Sequence, residues 1–374
     1  MSARIAIYSP LDPTFVGGFR RWIETFWSPY AESRDLDVRI LHCGFVPEGK
    51  TGDLQPLRLS PRIAVREIPS RGFPLLAAPL PNLGALRDAL AGCAAVYVDN
   101  GYALHDVAAL HAAKRAGVPA ISGHHAVIRH GVAHALVWDL VGKAVIGRFD
   151  AVHVLNADDD AYLRGAGARG VHRIALPIGD AFFAASVPRE DQIAFIGRLH
   201  PQKGIDRLVA IAKRLAQVEP GLVLVIAGTG PDREKLAEIE SLPNVRYVGP
   251  VDGPQAARLL AASRATIMPS RYETFGVVAA ESLAAGTPVI ASDVAGLRDM
   301  IAGDRGTLVE TPDDVWAWLS ALSDTIARSD GPARRIGISE QCRSYAREAF
   351  AFDAIAGRFD RIFAELNCHL ERTS

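Results

Sequence analysis

The 374-residue chain has few cysteines, no long apolar run and no excess of charge of either sign. Its four cysteines, Cys43, Cys93, Cys342 and Cys368, stand far apart and form no CxxC pair. That spacing argues against a disulfide framework or a zinc ribbon and favours a reducing, cytoplasmic setting. No stretch of about 18 uncharged apolar residues occurs, so no membrane-spanning helix is expected. The opening segment, MSARIAIYSP, is interrupted too soon to read as a signal peptide. Lys and Arg total 41 against 42 Asp and Glu, a formal charge of -1. Proteins that grip nucleic acid by its phosphates carry a basic surplus, so nucleic acid is not the expected partner. Hydrophobic residues at 49% with charged residues at 22% exclude a disordered chain.

What the chain has is alternation. Short β-branched runs recur: RIAIYS, VRILHC, AAVYVD, VPAIS, AVHVL, IAFIG, LVLVIAG, VRYVG, ATIMP and PVIAS. Each is bounded by Gly, Pro, Asn or Asp and reads as a buried parallel strand. Between them lie amphipathic segments such as DRLVAIAKRLAQV and DREKLAEIESL, which read as helices. The expected class is α/β, with doubly wound parallel sheets. The pattern restarts after the polar stretch AASVPREDQ, which predicts two Rossmann-like domains, residues 1–187 and 188–355. The last segment, FAFDAIAGRFDRIFAEL, is a long amphipathic helix followed by no strand. Open sheets of this kind bind ligands at the carboxyl ends of their strands, so two facing domains would present both edges to one cleft.

The most informative stretch is SRYETFGVVAAESLAAGTPVIASDVAG, residues 270–296. Glu273 lies on a loop after a strand, and a helix is expected to begin near Phe275 and Gly276. Glu281 follows in that helix among Ala279, Ala280, Leu283, Ala284 and Ala285. A charge on so apolar a segment is costly unless strongly hydrogen-bonded, though a surface glutamate is the plainer alternative. A carboxylate has two accepting oxygens, which match the vicinal hydroxyls of a ribose. The helix start offers backbone N–H groups and a positive dipole end for a phosphate, which Gly276 would let approach. A second piece, FIGRLHPQKG, places Gly197, Arg198 and Lys203 in another post-strand loop. Two cations there fit a diphosphate, although either alone reads as a solvated surface charge.

The pair Glu273 and Glu281 within ETFGVVAAESLAAGTPVIASDVAG, together with GRLHPQKG, resembles family-4 glycosyltransferases of the GT-B fold. The resemblance runs through nearly the whole chain, with a glycine loop near the start, a mid-domain histidine and a PIGD segment before the linker. It implies a nucleotide diphosphate sugar bound by the C-terminal domain, with Arg198 and Lys203 on the diphosphate and Glu281 on the ribose. It implies Glu273 near the donor-sugar hydroxyls, the Gly276 and Val277 amides on the distal phosphate, with Thr274 and Phe275 in the same loop. The base would lie near residues 249–251, against Val251. The implied reaction is transfer with retention, using no metal and no cofactor beyond the nucleotide-sugar co-substrate. The final helix, residues 356–374, would return to the N-terminal domain, where the acceptor, a saccharide, glycolipid or small metabolite, is read.

The first half is weaker. Gly17 and Gly18 open a helix that could meet a phosphate or sugar, or form a simple turn. The resemblance makes this the loop that closes over donor and acceptor. FRRWIETFW could touch a membrane as a peripheral contact, but a core-facing aromatic stripe fits it better. The cluster GHHAVIRHGVAH holds His124, His125, His130 and His134. The last two are spaced for zinc if helical, yet no HExxH pattern follows and no metal is expected. The resemblance assigns a sugar-hydroxyl contact to His125, with His124 as the alternative. Asn100 and Tyr102 could contact acceptor or be plain loop. AGTGPDREKL begins like GxGxxG but has Arg233 in the third position, so Gly228 and Gly230 more simply border the nucleotide. Two other readings stay open: a nucleotide-sugar epimerase of the same architecture, and a non-catalytic nucleotide-sugar-binding protein.

Overall fold

The computed structural model describes residues 3–47, 54–72, 78–99, 103–125 and 138–368. It divides into two units: Met1–Pro177 with Ile355–Ser374, and Ile178–Ala354. The division comes earlier than the polar stretch suggested. Ile178 N–H donates to Phe350 O at 2.9 Å, and the short helix Asp180–Ala184 packs on helices of the second unit.

The first unit is built on β1 (Arg4–Tyr8), β2 (Asp37–His42), β3 (Ile63–Glu67), β4 (Ala95–Asp99), β5 (Ala120–His124), β6 (Ala151–Val154) and β7 (Val171–Arg173). They form one parallel sheet in the order β3-β2-β1-β4-β5-β6-β7. The second unit is built on β8 (Gln192–Ile196), β9 (Val223–Ala227), β10 (Val245–Gly249), β11 (Ala265–Met268), β12 (Val289–Ser292) and β13 (Gly306–Val309). This sheet is parallel too, in the order β10-β9-β8-β11-β12-β13. Every apolar run named above is a strand. Those covered on both faces must be apolar throughout, which is what made them readable. The strands that the pattern missed, β3, β7 and β13, all lie at sheet edges, and most of β3 is exposed.

Two helical expectations change. DREKLAEIESL is not an α-helix: Pro231–Glu238 is a 3₁₀-helix, with Asp232 N–H drawn onto Leu199 O of the neighbouring loop at 2.9 Å. The aromatic segment near the start is one continuous helical run, α over Gly18–Trp22, π over Ile23–Trp27 and α again over Ser28–Ser33. The wider π turn lets the adjacent Phe26 and Trp27 both be buried, together with Trp22 and Tyr30. Trp22, Phe26 and Trp27 pack on Phe359 of the last helix, Phe352–Glu365, and Tyr30 on its Phe363, so the stripe is core and not a membrane face. That helix buries Ile355, Phe359, Ile362 and Phe363 at helical spacing, and Asp360 accepts from Tyr30 Oη at 2.7 Å and pairs with Arg34 at 2.9 Å. Among the described residues no helix is long and apolar enough to cross a membrane.

Candidate active site

An open parallel sheet has a crevice where its strand order reverses, because the loops that follow the two central strands turn to opposite faces. In the second unit the reversal lies between β8 and β11. The loops that leave those strands carry Gly197, Arg198 and Lys203 on one side and Glu273 to Gly276 on the other. The loops meet there. Lys203 Nζ donates to Glu273 Oε1 at 2.5 Å, and Ser270 Oγ donates to the same oxygen at 2.8 Å. Glu273 is 6% exposed. A carboxylate so enclosed needs its charge answered, and the ammonium of Lys203 answers it. Backbone bonds hold the arrangement: Arg271 N–H donates to Gln202 O at 2.8 Å, and Gly296 N–H to Glu273 O at 3.0 Å.

Glycines bring these loops into backbone contact. Gly228, at φ +135°, lies so near the β8 loop that a Cβ would fall 1.8 Å from Gly197 O. Gly228 N–H in turn donates to Gly249 O at 2.8 Å, and Leu199 N–H to Thr229 O at 2.9 Å, so the loops after β8, β9 and β10 interlock. Gly230 adjoins Leu199 in the same layer. Val251 is half-buried just before the helix Gly253–Ala262, which Asp252 and Gln255 cap reciprocally.

The expected helix begins at Val277, two residues later than Phe275, and runs to Ala284 with Gly276 as its cap at φ +83°. A side chain at Gly276 would strike Leu297 Cδ2 at 2.4 Å, so glycine alone fits this left-handed corner. The first amides of the helix, including Val277, have no partner within it. Phe275 is buried edge-on against Phe350, and Thr274 donates to Tyr272 Oη at 3.1 Å. Glu281 is 7% exposed among Ala279, Ala280, Leu283 and Ala284, all fully buried, which excludes the surface-glutamate reading. Arg198 is exposed and, among the described residues, makes no ion pair.

In the first unit the strand order reverses between β1 and β4. Ser9, just past β1, donates to Asp99 Oδ2 at the end of β4 at 3.3 Å. Gly17 is extended and Gly18 opens the first helix, as expected. The two adjacent histidines have different surroundings. His124 ends β5 inside the core, 3.2 Å from Ser122 Oγ and edge-on to Trp138, and burial takes its pKa down to about 3. His125 lies one residue past the strand. Its Nε2 is 2.9 Å from Tyr97 Oη and its Nδ1 is 3.7 Å from Asp99 Oδ1. Burial, reinforced by His153 and His124, holds His125 well below the usual imidazole range. Burial also lifts the Asp99 carboxyl to about 7, against the bond from Ser9.

The sequence reading missed Ser9, Tyr97, Asp99, His153 and Ser270. Tyr97 and His153 sit inside strand patterns, where a polar residue looks like a core exception. Asp99 was passed over for its neighbour Asn100. Asn100, Tyr102, His130 and His134 lie outside the described residues. Among the described residues no cluster of three or more His, Cys, Asp or Glu could hold a metal ion.

Residues 190–328 match the family model described as glycosyl transferases group 1. A GDP-mannose-dependent alpha-mannosyltransferase of Mycobacterium tuberculosis is 31% identical over 285 residues, 70% of this chain and 73% of that one. A glycogen synthase of the same organism is 32% identical over 165 residues, 42% of this chain, and the match spans 40% of that enzyme's length. The structure of HepE from Anabaena in complex with UDP resembles this one with a TM-score of 0.74, across 97% of this chain and 100% of that one, at 17% identity. The last is a likeness of fold, with parallel sheets in both units, and the mannosyltransferase carries the kinship: the chain has the GT-B fold and belongs to the group 1 glycosyltransferases.

Proposed function

We propose that the protein transfers a sugar from a nucleotide diphosphate sugar to an acceptor hydroxyl, with retention of configuration and without a metal ion, in the manner of family-4 glycosyltransferases. The observation that carries this reading is the Lys203–Glu273 bond at the β8/β11 reversal, beside the helix that starts at Val277. Leaving of a nucleoside diphosphate builds negative charge on phosphate while the sugar becomes cationic. Arg198, Lys203 and the Gly276 and Val277 amides answer the first charge, which makes a metal dispensable. Glu273, aimed by Lys203 and Ser270, binds the sugar hydroxyls.

Glu281 takes the ribose hydroxyls, while Gly197, Gly228, Gly230 and Val251 border the nucleotide, and Thr274 and Phe275 line it. In the first unit, Gly17 and Gly18 offer a helix start to donor or acceptor, and His125 offers a ring nitrogen to a sugar hydroxyl. The relative named for GDP-mannose and the neighbour solved with UDP both support a nucleoside diphosphate donor and leave its base open. The test is slow hydrolysis of UDP- and GDP-sugars by purified protein in EDTA. Wild type should release nucleoside diphosphate, and Glu273→Gln should lower that rate by about 10²-fold, as loss of a transition-state contact does. A rate unchanged in both Glu273→Gln and Lys203→Ala overturns the site assignment.

A further inference from the structure

The first unit holds a chain of polar contacts that crosses three neighbouring strands. It starts at a backbone carbonyl. His153 Nε2, on β6, is 2.8 Å from Ile174 O, and His153 Nδ1 is 2.8 Å from Tyr97 Oη on β4. The same Tyr97 oxygen is 2.9 Å from His125 Nε2, and His125 Nδ1 faces Asp99. Room for the phenol is made by Gly123 of β5, the strand that lies between: a Cβ there would fall 2.0 Å from Tyr97 Oη. The tyrosine reaches His153 only across that glycine.

Proton placement follows from the fixed end. A carbonyl oxygen only accepts, so His153 Nε2 carries the hydrogen. His153 is wholly buried among Trp22, Phe359 and Tyr97, which disfavours a charged ring. Burial accordingly takes it down to about 4. Being neutral, its Nδ1 bears a lone pair, and the Tyr97 hydroxyl donates to it. The Tyr97 oxygen is then left to accept from His125, so His125 Nε2 carries the hydrogen. The opposite order would set the His153 Nε2 lone pair against the Ile174 carbonyl at 2.8 Å.

We infer that Tyr97 and His153 are positioning residues that hold His125 as its Nε2–H tautomer and leave Nδ1 as an acceptor beside Asp99. The tautomer stands on the hydrogen bonds and the burial of His153, whereas the use of Nδ1 toward a sugar hydroxyl rests on the function proposed above. An acceptor at that place binds the hydroxyl hydrogen of a substrate, and the wrong tautomer would turn a donor against it. Gly123 and Tyr97 thereby become a matched pair, with no direct contact to substrate required of either.

The test reads the tautomer first. Full-length protein labelled with 15N in histidine gives long-range 1H–15N correlations, with the His125 signal assigned by its loss in His125→Gln. The inference expects the Nε2–H pattern for His125 in the unliganded wild type. A Nδ1–H or imidazolium pattern there overturns it, with no variant needed. Tyr97→Phe should give mixed tautomers of His125 and about a 10²-fold fall in kcat for donor hydrolysis, with the nucleoside diphosphate affinity unchanged. His153→Gln should repeat the effect. An unchanged tautomer in Tyr97→Phe, or a shifted tautomer with unchanged kcat, overturns the positioning role. A wild type with the Nε2–H pattern but no donor turnover would instead count against the proposed function, leaving the relay in place.

Discussion

At the scale of single residues, the protein buries ionisable groups and gives most of them a neighbour chosen by geometry. Glu273 is the clearest, with Lys203 and Ser270 on one oxygen. The residue types of this site were legible: two cations and two acids in or just after post-strand loops. Their pairing was not, because residues seventy apart in sequence meet only once the strand order is known. Tyr97 and His153 were illegible for a different reason. Their partners are other strand residues and a backbone carbonyl, and no local spacing encodes those.

These buried groups set a pH dependence with two opposing parts. In the fold His105 and His153 titrate at about 4 and His124 at about 3, all lowered by burial, against about 6.5 in an unfolded chain. The unfolded state therefore binds more protons between those limits, and stability falls as pH drops from about 6.5 towards 4. Asp99 acts the other way. Its folded value of about 7 exceeds the unfolded value of about 3.9, so its contribution is present at low pH and is lost as pH rises through 7. Hydrogen exchange of first-unit strand peptides, corrected for intrinsic rates, should show protection falling between pH 6.5 and 4.5. Asp99→Asn should make that acid fall steeper and flatten the decline between pH 6.5 and 7.5. A profile unchanged in Asp99→Asn would contradict this assignment.

At the scale of elements, the loops after β8, β9 and β10 behave as one layer because glycine lets their backbones touch. Gly228→Ala should destabilise the second unit by more than the ~1–3 kcal/mol that a left-handed non-glycine residue costs, since the clash with Gly197 O adds to the strain. Gly221→Ala, with nothing within 4 Å of the new methyl, should stay within about 0.5 kcal/mol. Urea titration of both variants checks this, and equal midpoints would refute the interlock. The central strands were readable because burial on both faces demands continuous apolar runs. The edge strands β3, β7 and β13 face solvent on one side or are short, so their sequences carry too little of that signal. Pro231–Glu238 misled the helical reading because its first amide is taken by another loop.

At the scale of the whole molecule, the two-sheet parallel architecture was legible from alternation, through ten of the thirteen strands of the two sheets. The last helix was legible as a helix, but its packing on Trp22, Phe26 and Trp27 depends on a π turn that no periodicity announces. Kinship with the group 1 glycosyltransferases agrees with that architecture. The central claim is that the crevice at the β8/β11 reversal holds a nucleoside diphosphate through Lys203 and the helix start at Val277. Thermal unfolding in EDTA with UDP, GDP or ADP tests it most directly. At least one should stabilise the wild type, by about 2.7 kcal/mol at a hundred times its Kd, and should do so far less in Lys203→Met. No stabilisation by any of the three, or an equal shift in Lys203→Met, would contradict the account.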